Sequence, residues 1–194
     1  MERQRTLTQY RGVDLTLFAL ILGVCEYTVT RAANAWFPGQ LYTVSLTAAV
    51  CAIVLMRWGV WAAIHALLGG LVFWLASGGG KAQLVIYTVG NLGCLAVLPL
   101  LRGGGKEKIR SDKLFTALFA LAVTLTMQLG RAAVALILRT EPAACVGFFT
   151  TDALSGLFAL VVLSLARRLD GIFEDQKTYL RRLREREEKE KGGF

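Results

Sequence analysis

The 194-residue chain has one histidine, three prolines, four cysteines and only 19% charged residues. Each scarcity removes a class of function. A lone histidine, His65, on an early apolar run leaves no partner for a rhomboid-like hydrolase, which also needs a Gly-x-Ser-x-Gly-like turn. No histidine–cysteine cluster suits a metal. The cysteines (Cys25, Cys51, Cys94 and Cys145) show no paired spacing, so they read as small apolar packing residues rather than as a disulfide framework. Two Gly-Gly-Gly-Lys sequences, Gly78–Lys81 and Gly103–Lys106, lack the spacing and the following Ser or Thr of a phosphate-binding loop. They read as hinges. The acidic motif of phospholipid synthases is also missing, so the sequence points away from an enzyme and implies no cofactor and no metal.

What the chain has in quantity is apolar sequence. Hydrophobic residues make up 55% of it and the mean hydropathy is +0.51. A helix crossing a hydrocarbon core of about 30 Å needs roughly 20 mostly apolar residues. Six runs qualify: Val13–Thr30, Gln40–Met56, Trp58–Ser77, Gln83–Leu101, Leu114–Leu138 and Gly147–Ala166. None alternates apolar with polar residues, which excludes barrel strands. The expectation is an all-α membrane protein, a compact bundle of six transmembrane helices with short antiparallel connections. The first run is longer than a signal-peptide core and lacks a small-x-small cleavage site, so it reads as a retained span. Leu22-Gly23-Val24-Cys25 resembles a lipoprotein box, but Val24 is too bulky for the position before the cysteine.

The net charge of +8 is a topology signal. All of the lysines and arginines except Arg31, Lys81, Arg131 and Arg139 fall in the N-terminal arm, the Arg57 turn, the Arg102–Lys113 loop or the tail after Ala166. With six spans those segments share one side, and the positive-inside rule makes that side cytoplasmic, with both termini. Nucleic acid is not needed to explain the charge; the bilayer and its anionic headgroups are. The organisation is a basic arm (1–12), a six-helix transmembrane domain (13–166) in the cell membrane and a charged cytoplasmic tail (167–194). In the tail Leu169, Ile172, Phe173, Gln176, Leu180 and Leu183 fall near one helical face. The sixth helix is therefore expected to continue into the cytoplasm or bend along the membrane surface.

Polar groups inside hydrocarbon are costly and ask for a partner or a wet cavity. Glu26, Tyr87, Asn91, Gln128, Arg131 and Asp152 come from four spans and share the outer half. Thr124, Gln128 and Arg131 are spaced four and three apart, which puts them on one stripe. Tyr87 and Asn91 form a second stripe; Glu26, Thr30 and Asn34 form a third if the first helix runs on to Pro38. Converging stripes would line a pocket open to the outside for a polar or zwitterionic ligand. The competing reading is architectural: Arg131 pairs with Asp152 or Glu26, and Asn91 and Gln128 hydrogen-bond between helices. Trp36 and Phe37 are either an interfacial belt or a lid over the pocket. Ala19 with Gly23, Ala48 with Ala52, and Ala62 with Ala66 and Gly70 are small-residue strips for close helix approach, internal or toward another subunit.

On these features the chain resembles an S component of an energy-coupling factor (ECF) transporter, the substrate-capture subunit of vitamin and micronutrient importers. The resemblance covers the whole membrane part and is architectural. It implies a small-molecule substrate held at an outward-facing site by Glu26, Asn34, Tyr87, Asn91, Gln128, Arg131 and Asp152. The Arg31–Gly39 connection would gate that site through Trp36 and Phe37. It also implies partners: a transmembrane coupling subunit and ATPase subunits. Ala19-Leu20-Ile21-Leu22-Gly23 is the nearest match to the Ala-x-x-x-Ala docking strip, with glycine for the second alanine. Two alternatives stand beside it, an ion-coupled secondary transporter using Glu26 or Asp152 and a membrane adaptor working through its tail.

Overall fold

A computed structural model describes residues 6–38 and 43–191, and every regular element among them is helical. Helix α1 (Leu7–Trp36) starts on a capping box in which Thr6 and Gln9 hydrogen-bond each other's backbone N–H groups. Two of the orphan donors of a helix start are satisfied this way. The helix is longer at both ends than the run Val13–Thr30, and at 30 residues it reaches about 45 Å. The Phe37 N–H closes it on the Ala33 carbonyl, and Pro38 cannot extend it.

The second expected span is much shorter than its apolar run. Residues 40–42 lie outside the described residues, Thr43–Ser45 are not helical, and α2 covers only Thr47–Trp58. The cause is competition for backbone donors from residues distant in the chain. The Thr43 N–H bonds the Thr151 carbonyl at 3.0 Å, that of Ser45 bonds the Ser155 hydroxyl at 2.9 Å, and that of Leu46 bonds the Glu26 carboxylate at 2.7 Å. These donors are held by other helices and cannot begin an earlier turn.

After α2 the chain turns at Gly59, whose φ of +63° glycine adopts without strain. A 3-10 turn (Gly59–Trp61) leads into α3 (Ala62–Ser77), which returns along α2. A Cβ on Gly69 would lie 2.9 Å from the Thr47 Cβ, so the far ends of this hairpin touch.

The next apolar run is α4 (Lys81–Gly90) followed by a 3-10 helix (Asn91–Leu101), and not one continuous α-helix. Such a long 3-10 stretch is uncommon, and Pro99 within it has no N–H to donate. Glycines bring it against α6 (Lys113–Ile137). A Cβ on Gly90 would sit 2.6 Å from the Arg131 Cα, and Gly93 and Gly130 abut backbone in the same way. A short helix, α5 (Gly105–Ser111), fills the connection, entered through Gly103 and Gly104 in the left-handed region.

The last apolar run is also divided. Helix α7 (Pro142–Thr151) and α8 (Ala153–Ala166) meet at Asp152, because the Thr151 carbonyl accepts from the inserted Thr43. Beyond α8 the helix stops instead of continuing. Residues 167–175 bend through Gly171 (φ +72°) before α9 (Gln176–Lys191). Phe173 is buried against Phe119, whereas Leu169 is exposed, so the single apolar face expected for the tail is split.

Among the described residues, five helical stretches are long and apolar enough to cross a membrane: Leu7–Trp36, Thr47–Ser77, Lys81–Leu101, Lys113–Ile137 and Pro142–Ala166. Of these, Thr47–Ser77 is the hairpin bent at Gly59. The side-chain arrangement inverts that of a water-soluble protein. On α6, Leu118, Leu121, Leu125 and Leu129 point outward while Thr124, Gln128 and Arg131 are buried. Exposed apolar stripes of this extent suit contact with lipid.

Candidate ligand-binding site

The buried polar groups form two layers, one near each end of the bundle. The first gathers where three helices are interrupted, at the α4–3-10 junction, at the α7–α8 break and at the residues before α2. Arg131 projects from α6 into it and is only 4% exposed. Its Nε donates to the Asn91 Oδ1 at 2.7 Å, and its Nη1 is paired with the Asp152 carboxylate. The Tyr87 ring lies against the guanidinium, 4.6 Å from centroid to Cζ. Asn91 in turn donates to the Ala66 carbonyl on α3 at 3.1 Å. Asp152 accepts from the Thr43 hydroxyl, and Ser155 ties the same segment to α8. Phe73 and Phe148 pack on Tyr87 from either side.

This arrangement joins Tyr87, Asn91, Arg131 and Asp152 directly. Gln128 is buried one turn before Arg131 on α6. Glu26 is fully buried and reaches the layer through the Leu46 N–H. Arg131 contacts Tyr87, Asn91 and Asp152, and all four are buried, where the sequence led us to expect a pocket open to the outside. Asn34 does not join them. It is exposed on α1, in a surface groove of about 610 Å³ shared with Tyr27, Arg31 and Trp36. Trp36 is 77% exposed and Phe37 also points outward, so neither covers the buried layer. Ala19 and Gly23 are half-buried on α1, and a Cβ at Gly23 would meet nothing within 4 Å.

Chemically, the layer presents a guanidinium whose Nε and Nη1 are engaged while its Nη2 has no partner among the described residues. Beside it lie an aromatic face, an amide and a carboxylate. Such a set can recognise a small polar molecule carrying an acceptor group, with the ring as a stacking platform.

The second layer was missed in the sequence. Asp14 on α1 accepts from Arg57 Nε at 2.8 Å and Nη2 at 2.6 Å, and from the Trp58 indole at 2.5 Å. The Nη1 of Arg57 donates to the carbonyls of Gly171 and Ile172. A residue counted only as a topology charge thus holds α1, the α2–α3 turn and the tail together. The one available signal was an acid at the start of the first apolar run, to be set against an arginine on a turn with almost no loop. Next to this layer Glu174 pairs with Arg110 and Arg182, and Asp175 with Lys106, around a cleft of about 380 Å³. Burial pushes the Asp175 carboxyl up, but its bond to Lys106, the lysine charge and two bonds from Thr178 hold it below its ordinary value. His65, buried on α3, faces the Leu15 carbonyl at 3.0 Å and serves to seat α1.

Comparison with protein-family models, with characterised proteins and with solved structures returned no match to this chain.

Proposed function

We propose that this chain is the substrate-binding membrane subunit of an ECF-type importer. In this reading it crosses the cell membrane six times with both termini in the cytoplasm, and it captures a small vitamin-like or micronutrient molecule for ATP-driven uptake by partner subunits. The observation that carries the reading is the Arg131–Asp152–Asn91–Tyr87 cluster, assembled where the helices are interrupted. Irregular backbone inside a membrane is tolerated where it is buried in protein or lines a cavity, and such breaks are where membrane proteins hold polar ligands. A substrate would take over bonds that these side chains now make with one another.

Six crossings follow from reading the Gly59 hairpin as two passes, with the second layer and the basic tail at the cytoplasmic end. Along α1 the twelve residues from Asp14 to Glu26 separate the layers by about 18 Å, which supports reading the Arg131 cluster as lying toward the outer side. Reporter fusions after Lys81 and after Glu141 are expected to read as extracellular, and those after Lys106 and at the C-terminus as cytoplasmic. An extracellular C-terminus contradicts the topology.

The partner assignment is tested by affinity purification of the tagged chain from its native membrane. A membrane coupling subunit and an ATPase should copurify. Gly23→Trp, at a position where an added Cβ would meet nothing within 4 Å, should lose both without lowering the thermal stability of the isolated protein. Retention of both partners by a correctly folded Gly23→Trp variant would remove α1 as the docking face.

A further inference from the structure

We infer that Glu26, with the hydroxyls of Thr30 and Thr47, forms a binding site for one monovalent, sodium-sized cation. The first support is a charge imbalance. The layer contains two carboxylates, Glu26 and Asp152, and one guanidinium, which is engaged by Asp152 and Asn91. One negative charge is left without a counter-charge, on a carboxylate that is 0% exposed. An isolated buried charge is strongly unfavourable unless a partner neutralises it.

The second support is the bonding of the oxygens. Leu46 N–H satisfies Glu26 Oε2, but Oε1 is buried with no partner among the described residues. The same holds for Thr30 Oγ1, one turn further along α1, and for Thr47 Oγ1, next in the chain to the Leu46 donor. Ser45 and Thr47 flank the Leu46 donor on either side in the chain. Thr30, which is buried, differs from several other helical threonines. The hydroxyls of Thr28, Thr88, Thr124, Thr126 and Thr151 all donate back to the carbonyl four residues earlier. That of Thr30 does not, so its hydroxyl stays buried with no hydrogen-bond partner among the described residues. Buried polar atoms are nearly always partnered, so two orphaned hydroxyls beside a carboxylate with one orphaned oxygen of its own call for a specific occupant.

The donor set selects the ion. Carboxylate and hydroxyl oxygens are hard ligands, and a single negative charge suits an alkali cation. Calcium takes six to eight oxygens, usually with several carboxylates, and transition metals favour nitrogen or sulfur. The α3 backbone at Gly69 closes directly on Thr47, so that even an added methyl group there would clash, which excludes an organic amine on that side. The ligating oxygens are distinct from the side chains of the Arg131 cluster.

The test uses the purified full chain in detergent, with sodium chloride compared against choline chloride at fixed pH and ionic strength. Sodium should raise the melting temperature saturably, as a ligand selective for the folded state does. Glu26→Gln removes the uncompensated charge and should abolish the sodium response while melting in choline at or above the wild-type temperature. Thr30→Val and Thr47→Val should each weaken the apparent sodium affinity by roughly tenfold, about the loss of one ligand to a charge. These two variants carry the test if Glu26→Gln does not fold. Equal wild-type melting in sodium and choline overturns the proposal, as does a sodium response unchanged in the threonine variants. Stability that rises with acidification alone, without a sodium response, means that a proton neutralises Glu26 and overturns it too.

Discussion

Arg131→Ala is expected to destabilise the ligand-free protein by about 3–5 kcal/mol, since it strands Asp152 as a buried, unpaired charge. Asp152 is 4% exposed and its other polar neighbours are the hydroxyls of Thr43 and Ser155, which are neutral. Asn91 would lose its Arg131 partner in the same step. A pocket freely open to the outside would leave ligand-free stability unchanged, because water would solvate the stranded group; burial reverses that expectation. The paired replacement Arg131→Met with Asp152→Asn removes both charges together. It should recover most of the loss, since a buried ion pair seldom outperforms well-packed neutral residues of similar volume. Thermal unfolding in mild detergent reads both effects. A single variant as stable as the wild type would mean that Asp152 is hydrated.

Arg57→Ala should be of comparable size, again about 3–5 kcal/mol. The guanidinium is 4% exposed and serves two carboxylate oxygens and two backbone carbonyls. Its loss orphans Asp14 and releases the 171–172 carbonyls, so the bend between α8 and α9 loses its anchor on the bundle. Arg57→Lys should recover less than half of the loss, because an ammonium cannot match the bidentate carboxylate and the carbonyls together. Two measurements check this: the melting temperature, and limited proteolysis across residues 167–176, which should become faster in both variants. Unchanged proteolysis would show that the tail is held by the Glu174 and Asp175 ion pairs alone.

Much of this architecture is legible in the residues, and what is not has identifiable causes. Five apolar stretches and the Gly59 hairpin follow from hydropathy and from the near absence of a loop at Arg57. The α6 stripe was readable because Thr124, Gln128 and Arg131 keep helical spacing on an otherwise apolar run. The Asn34 assignment erred through helical drift. Eight residues at 3.6 per turn rotate a side chain by about 80°, so Asn34 no longer shares the face of Glu26. The helix interruptions were hidden because they are caused at a distance. Nothing near Thr43–Leu46 announces that Glu26, Thr151 and Ser155 will take its backbone donors, and nothing in Gly147–Ala166 signals that Thr43 will occupy the Thr151 carbonyl. Those interruptions in turn assemble the buried cluster, so the candidate site became visible only with the tertiary contacts. Arg57 was hidden for the opposite reason, since its charge already had a sufficient explanation in topology.

The claim that the Arg131 cluster holds a substrate is tested most directly by mass spectrometry of small molecules that copurify with the protein in mild detergent. Wild type is compared with the Arg131→Met/Asp152→Asn pair at matched thermal stability, beside an unrelated polytopic protein purified in parallel. The account predicts one small polar molecule enriched in the wild-type sample over the control and depleted at least tenfold in the paired variant, the loss of roughly one charged hydrogen bond. No enrichment over the control, or equal amounts in wild type and variant, would contradict it and leave the cluster as interhelical packing.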